Sequence, residues 1–223
     1  MSPLAAGGGQ VQGTRKRQED AWGLERYGES EVLALVADGL GGHPAGDVAS
    51  REAVREFVEQ FGARRARGTA TPRQWLQDAT LATHGALLGM ARTQRRLREM
   101  ATTLVALYVR GAEFWAVSVG DSYLLLLRGD RLVRLNELHA EAGGLTSCLG
   151  FNLARVDVAD ALAVQPGDRF LLASDGILAL DDDEIAGFLG EGDAAAAVGA
   201  LLAAVEQADL PGQDNATAVA VLA

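Results

Sequence analysis

The order in which apolar runs and helical patterns follow one another limits the fold more than any other feature. Six short apolar runs have the composition of buried strands, at residues 32–37, 103–109, 113–119, 123–128, 169–173 and 216–222. Helical patterns occur in two blocks, one after the first run and one before the last. Because strands and helices do not alternate, a doubly wound parallel sheet is disfavoured. We therefore predict an α+β fold in which helices cover antiparallel sheets.

Each helical block contains two segments. One apolar helix face is formed, at i, i+3, i+4, i+7 spacing, by Val54, Phe57, Val58 and Phe61. A second helix is predicted over 72–99, with Pro72 in its first turn. The later block, at 182–189 and 193–208, begins each segment with acidic residues, which interact favourably with the helix dipole. No linker or repeat divides the 223 residues, so we expect a single domain over 1–223.

Charge and cysteine content exclude several classes of protein. The 20 basic and 30 acidic residues give a net charge of −10, which disfavours binding to nucleic acid or to anionic membranes. Cys148 is the only cysteine, so an internal disulfide is impossible and a reducing compartment is favoured. Residues 1–17 lack the apolar core of a signal peptide, and no apolar stretch reaches the length of a bilayer span. We expect a cytoplasmic protein.

Carboxylates stand at the ends of four of the predicted strands. Each lies in an Asp-Gly, Gly-Asp or Asp-Asn pair, which taken singly is typical of a turn: Asp38, Asp121, Asp175 and Asp214. If the strands lie side by side, these carboxylates share one region and repel one another unless cations neutralise them. Oxygen ligands favour hard ions such as Mg²⁺ or Mn²⁺, whereas Zn²⁺ prefers the His and Cys that this chain nearly lacks. The sequence therefore predicts a metal centre built from carboxylates.

A charged segment near the start of the chain adds a possible anion-binding group. Residues 15–20 read Arg-Lys-Arg-Gln-Glu-Asp, so Glu19 and Asp20 closely follow basic residues. Such a run is often only a solvated surface. An arginine here, Arg15, could instead clamp a phosphate in planar, bidentate fashion. Next to a metal centre, that interpretation points to a phosphate ester as substrate.

Six short motifs follow one another along the chain. In order they are Arg15-x-x-x-Glu19-Asp20, Val36-Ala37-Asp38-Gly39-Leu40-Gly41-Gly42-His43, Thr102-Thr103, Gly120-Asp121-Ser122, Ser174-Asp175-Gly176 and Asp214-Asn215-Ala216-Thr217. Any one of these motifs is a weak signal, but the ordered set is strong. It resembles the bacterial type-2C, metal-dependent protein serine/threonine phosphatases, and the resemblance runs from about residue 13 to residue 222.

The resemblance implies a four-layer sandwich, with two central, mostly antiparallel β-sheets flanked by pairs of helices, and a site for two Mn²⁺ or Mg²⁺ ions. It implies the following metal site: Asp38 bridging both ions, the Gly39 carbonyl, Asp175 and Asp214 on one ion, Glu19 on the other, and Asp20 holding bound water. Arg15 becomes the phosphate clamp, and Asn215 supports the Asp214 loop.

The implied activity is hydrolysis of phosphoserine and phosphothreonine on proteins by a water activated by two metals, without a covalent intermediate. Metal-bound water or His43 would protonate the leaving oxygen. Partners would be phosphoproteins and a cognate serine/threonine kinase with its targets, and the protein would be a monomer. The alternative is a phosphatase-like sensor or scaffold that binds metal or phosphoprotein without turnover, although degenerate members typically lose ligands that this chain keeps.

Two other phosphatase chemistries fit the sequence poorly. A cysteine-dependent tyrosine phosphatase needs Arg six positions after its Cys, but Ala154 stands there and Arg155 comes one residue late. An aspartyl-phosphate mechanism would use the Asp-x-Asp at 181–183, which is better explained as a helix N-terminus.

One segment that is usual in the family, a flap, is nearly absent from this chain. Only six residues separate His139 from Thr146, where the family inserts a mobile flap that can supply an Asp to a third ion beside Asp121. We therefore expect a third ion at Asp121 to bind poorly, an open site, and modest discrimination among short phosphopeptides.

Overall fold

The computed structural model describes residues 3–40, 45–142, 144–208 and 210–223. Its strands are β1 (Ala5–Val11), β2 (Asp20–Gly28), β3 (Glu31–Asp38), β4 (Leu104–Arg110), β5 (Glu113–Val119), β6 (Tyr123–Arg128), β7 (Arg131–Arg134), β8 (Ala140–Glu141), β9 (Gly144–Leu145), β10 (Asp157–Val158), β11 (Leu162–Ala163), β12 (Arg169–Ala173) and β13 (Ala216–Leu222). Its α-helices are α1 (Gly46–Arg67), α2 (Pro72–Thr93), α3 (Asp182–Gly190) and α4 (Ala194–Gln207).

The strands form two antiparallel sheets and one small hairpin. Sheet I has the order β1-β13-β12-β6-β7, and sheet II has the order β10-β5-β4-β3-β2 with β11 also paired to β5. Strands β8 and β9 pair only with each other. Every ladder between these strands is antiparallel. The predicted α+β class is therefore confirmed.

Three apolar layers hold the sheets and helices together. In β3, Val32 and Val36 face the layer between the sheets, whereas Leu33 and Leu35 face the layer under α1 and α2. A strand buried on both faces needs apolar residues at every position, which explains the unbroken run at 32–37. The third layer packs α3 and α4 on sheet I. The order helix pair, sheet, sheet, helix pair confirms the four-layer sandwich.

Among the described residues, seven strands have no counterpart in the sequence prediction, namely β1, β2 and β7–β11, and one helix end was misplaced. Strand β1 reads Ala-Ala-Gly-Gly-Gly-Gln-Val, and glycine is depleted in strands, so no strand was predicted there. The structure gives the reason for one of these glycines: a Cβ on Gly7 would lie 2.8 Å from the Ala195 backbone of α4. Helix α2 ends at Thr93, not at residue 99, because a short 3₁₀ turn at Arg95–Leu97 follows it.

Among the described residues, no helix combines the length and apolar character that crossing a bilayer requires.

Candidate active site

The predicted site residues converge on one pocket where strands of both sheets end. The pocket has a volume of about 150 Å³. Its lining includes every residue predicted for the site except Asp20: Arg15, Glu19, Asp38, Gly39, Asp121, Asp175 and Asp214. We call this the carboxylate pocket. Within the described part of the chain, no three His, Cys, Asp or Glu side chains lie close enough together to hold a metal ion as placed, so the carboxylates line the pocket without forming a closed ligand shell.

Asp38 is held at the end of β3 by the two threonines before β4. The Asp38 N–H donates to Thr103 Oγ1 at 2.9 Å, and its carbonyl accepts from the Thr103 N–H and from Thr102 Oγ1, each at 2.8 Å. The Thr103 hydroxyl also lies 2.7 Å from the Ser122 hydroxyl, next to Asp121. The Thr-Thr motif therefore fixes the backbone that carries Asp38 and links it to the Asp121 turn.

Gly39 allows three chain segments to meet at the pocket. A Cβ on Gly39 would lie 2.3 Å from the carbonyl oxygen of Gly46, at the start of α1, and 2.6 Å from that of Glu19. The Gly39 N–H donates to the Glu19 carbonyl at 3.0 Å. No side chain fits this approach, and the close contact brings Glu19 beside Asp38.

Asp20 lies beneath the pocket, where it does not contribute to the lining. It is the first residue of β2 and stands opposite Asp38 in the ladder with β3. Only 4% of Asp20 is exposed, and its carboxylate accepts a 2.7 Å hydrogen bond from the Ser174 hydroxyl. That hydroxyl in turn accepts from the Thr217 N–H at 2.9 Å. Asp20 therefore ties β2 to the ends of β12 and β13.

Negative charge predominates in the pocket, where five carboxylates, those of Glu19, Asp38, Asp121, Asp175 and Asp214, accompany one guanidinium, that of Arg15. Burial, together with the charges of Asp20, Asp175 and Asp121, holds the pKa of Asp38 well above its usual range. Burial, with the charges of Asp121 and Asp214, raises the pKa of Asp175 to about 6. The pKa values of Glu19 and Asp121 are also raised, chiefly by burial. Crowded carboxylates with raised pKa values are the donor set that a hard divalent cation neutralises, so the residues present fit Mg²⁺ or Mn²⁺.

The loop that carries Arg15 and Glu19 is held in place from the far end of the chain. Asn215 Oδ1 accepts the Glu19 N–H at 2.8 Å, and its Nδ2 donates to the carbonyls of Gln12, at 2.8 Å, and Arg17, at 3.0 Å. Sequence reasoning gave Asn215 a role at the Asp214 loop, and its side chain reaches across to this other loop. Arg15 itself forms an ion pair with Asp214, with both side chains partly exposed.

A histidine that the sequence analysis gave no role fixes the Asp121 turn. Gly120 adopts φ of +96°, and its N–H donates to His139 Nδ1 at 3.3 Å while its carbonyl accepts from the His139 N–H at 2.9 Å. His139 is 2% exposed, and its Nε2 lies 3.0 Å from an Asp157 carboxylate oxygen. No local sequence pattern indicates this role, because the partners of His139, Gly120 and Asp157, are distant in sequence.

The missing flap is replaced by the β8–β9 hairpin, whose Leu145 reaches the lining of the carboxylate pocket. Cys148 is buried, which raises the pKa of its thiol, and it does not line this pocket. His43, a candidate general acid, lies outside the described residues.

Comparison with known proteins gives a single answer. Residues 10–214 match the protein phosphatase 2C family. The serine/threonine phosphatase stp of Listeria innocua is 35% identical over 127 residues, which cover 56% of this chain and 50% of that protein. PppA of Pseudomonas aeruginosa, a key regulatory component of T6SS, is 30% identical, with a TM-score of 0.83 over 99% of this chain and 98% of that one.

The same fold occurs in the catalytic domain of the serine/threonine protein phosphatase PstP, solved in complex with two manganese ions. That domain is 24% identical, with a TM-score of 0.82 over 100% of both chains. The chain described here therefore belongs to the protein phosphatase 2C family. Its match spans about half the length of the curated Listeria relatives.

Proposed function

We propose that this protein hydrolyses phosphate monoesters on serine and threonine residues of other proteins, with two bound Mn²⁺ or Mg²⁺ ions. The observation that carries the proposal is the convergence of Glu19, Asp38, Asp121, Asp175 and Asp214 on one pocket with Arg15 at its edge. The family match supports it, as do relatives named serine/threonine phosphatases. The two manganese ions in the PstP domain support the choice of metal.

In this proposal the ions are held by oxygen donors. The proposed donors are the carboxylates of Asp38, Asp175, Asp214 and Glu19, with the Gly39 carbonyl. Asp20, which is bonded to Ser174 below the pocket, keeps its proposed role in holding bound water next to Asp38. When bound, such ions lower the pKa of water and stabilise charge on a phosphoryl group.

The protein's own groups position the phosphate. Arg15 offers a guanidinium at the edge of the pocket, where it would bind two phosphate oxygens, as arginine does in bidentate contacts. Its partner in the structure, Asp214, would then be released to serve as a metal ligand. Asn215 holds the backbone on both sides of Arg15, at Gln12 and Arg17, so the guanidinium is offered from an ordered loop.

No protein nucleophile is needed in this scheme. Cys148 is buried, and burial favours its protonated form, which is unreactive. In this scheme water attacks phosphorus, the bond from phosphorus to the serine or threonine oxygen breaks, and that oxygen takes up a proton, so no covalent intermediate forms.

The test is release of phosphate from a phosphothreonine peptide by the purified protein, before and after EDTA treatment and after Mn²⁺ is restored. We expect turnover to be lost and then regained. Asp38→Asn should nearly abolish turnover at saturating Mn²⁺, while circular dichroism remains native. Turnover that persists in EDTA would overturn the mechanism. Binding of Mn²⁺ and phosphopeptide without any turnover would favour the sensor or scaffold alternative.

The proposal extends to partners and location. Phosphoproteins, and a cognate serine/threonine kinase with its targets, are the proposed partners, and a cytoplasmic monomer is the proposed form. The single cysteine supports a reducing compartment, and the net charge of −10 disfavours nucleic acid and anionic membranes as partners. Phosphoproteomics of a strain lacking the gene would test the partners, and analytical ultracentrifugation would test the monomer.

A further inference from the structure

A second, smaller cavity of about 100 Å³ lies between α3, the turn after β12 and the outer face of sheet I. We call it the side groove and define it by the residues that the argument uses: Tyr123, Leu132, Arg134, Ile177, Leu178 and Asp182. None of the proposed site residues lines it. The function proposed above gives it no role.

Two segments of the chain lead from the lining of the carboxylate pocket to the lining of the side groove. Tyr123 follows Asp121 by two residues and pairs with Ala173 of β12, and Asp175 comes two residues after Ala173. Ile177 and Leu178 lie in the short 3₁₀ turn that Asp175 opens.

The lining of the side groove suits an uncharged aliphatic group. Leu125, Leu132, Ile177, Leu178 and Ile185 supply apolar surface. One cation, Arg134, and one anion, Asp182, also contribute to the lining, so the groove carries no net charge. A basic or acidic side chain would meet a like charge as well as an opposite one.

Size and exposure narrow the occupant further. An apolar cavity of about 150 Å³ accepts benzene, so a groove of about 100 Å³ fits an aliphatic side chain better than an aromatic ring. Leu178 is 58% exposed at this groove, although most leucines of the chain are buried. An exposed leucine beside a site gains free energy when an apolar partner covers it.

We propose that the side groove is a substrate subsite that receives one aliphatic side chain of the phosphoprotein, close in sequence to the phosphorylated residue. This inference rests on the proposed function, because the peptide must lie across the carboxylate pocket for its neighbouring residue to reach the groove. The β8–β9 hairpin is a short replacement for a flap, so specificity next to the phosphate falls to surfaces such as this one.

The experiment uses phosphothreonine peptides with an alanine background and one leucine moved through the three positions on each side of the phosphothreonine. We expect one position at which leucine raises kcat/KM about fivefold over alanine, mainly through KM, as partial burial of one aliphatic side chain provides. Glutamate or lysine at that position should give no such gain. An aryl phosphate, which has no neighbouring residue, serves as the reference substrate.

Two matched variants locate the effect. Leu178→Ala should remove the leucine preference and leave aryl phosphate turnover within about twofold of wild type, since an exposed residue changes stability little. Leu81 is also an exposed leucine, but it lies on α2, so Leu81→Ala should keep the preference for leucine in the peptide. Circular dichroism would check that both variants are folded.

The outcomes separate the two proposals. A flat peptide profile with normal aryl phosphate turnover would overturn the subsite and leave the phosphatase function standing. A leucine preference that survives in Leu178→Ala, or that is lost equally in Leu81→Ala, would also overturn the subsite. Absence of turnover with every substrate would overturn the proposed function and the subsite with it.

Discussion

Replacing Asp175 by Asn should stabilise the metal-free protein. The substitution keeps the size of the side chain and removes one negative charge from the carboxylate pocket. Among the described residues no donor forms a hydrogen bond with the Asp175 carboxylate, so little favourable interaction is lost. The charge, in contrast, is opposed by burial and by the carboxylates of Asp121 and Asp214.

The size of the gain follows from the pKa. In the folded protein the pKa of Asp175 is about 6, against an ordinary value of 3.8. A shift of about two units corresponds to about 3 kcal/mol at about 1.4 kcal/mol per unit. Because Asp175 is partly exposed, solvent screening reduces this figure, and we expect a gain of about 1 to 3 kcal/mol for Asp175→Asn near neutral pH.

The pH dependence has a definite sign. A carboxylate whose pKa is higher in the folded state binds its proton more tightly there, so the free energy of unfolding falls as pH rises through this range. The penalty is absent below the unfolded pKa and fully present above about pH 6. Asn cannot ionise, so the advantage of the variant should disappear towards pH 4 or so.

The assay is equilibrium unfolding in urea, followed by circular dichroism, in EDTA at neutral and at acidic pH. Asp130→Asn, in the exposed β6–β7 turn, serves as the control for removing a charge elsewhere. With saturating Mn²⁺ the wild type should have the larger free energy of unfolding. Mn²⁺ binding stabilises its folded state, and the variant lacks the Asp175 carboxylate as a metal ligand. No gain for Asp175→Asn in EDTA at neutral pH, or an equal gain at acidic pH, would refute the reasoning.

Four shorter predictions concern other residues. Arg15→Ala should raise KM for a phosphopeptide and leave measurable kcat in steady-state kinetics, because it removes phosphate binding and no metal ligand; loss of kcat alone would contradict this. Cys148→Ser should retain most activity, and a trapped phosphoenzyme on Cys148 would exclude the mechanism. At millimolar Mn²⁺, Asp121→Ala should reduce turnover far less than Asp175→Ala, and equal losses in folded variants would show that a third ion matters. Gly39→Ala should cost about 2 kcal/mol or more in urea unfolding, since its Cβ would overlap the Gly46 backbone, and a wild-type midpoint would count against that packing.

Local patterns predicted most of the fold. The apolar run of β3 was identifiable because both of its faces are buried, and α1 was identifiable because Phe57 and Phe61 repeat at helical spacing. Strand β1 could not be identified in this way. Its glycine at position 7 allows the close approach of Ala195 in α4, and no local sequence pattern records a contact between residues so far apart.

For the site, the lining residues could be predicted from the sequence, but the side chains that support them could not. Carboxylates at strand ends predicted four of the lining residues, Asp38, Asp121, Asp175 and Asp214, since the topology brings those ends together. The charged segment at 15–20 suggested Arg15, and the family resemblance added Glu19 and Gly39. The supports could not be found, because Asn215 reaches Glu19 across 196 positions and Ser174 reaches Asp20 across 154. Sequence spacing contains no information on which polar side chain will stabilise which distant loop. For the same reason, the sequence did not indicate that Asp20 lies under the pocket, bonded to Ser174, instead of in its lining.

The contact between the Arg15 loop and Asp214–Asn215 has a consequence for biosynthesis. The two partners are 199 positions apart, and β1 pairs with β13 along its whole length. At about 5 to 20 residues per second, a ribosome takes about 10 to 40 s to pass from one to the other. During that time the nascent chain contains Glu19 and Asp38 but neither Asp214 nor Asn215. The carboxylate pocket is thus incomplete until Asp214 and Asn215 have been translated and β13 has paired with β1.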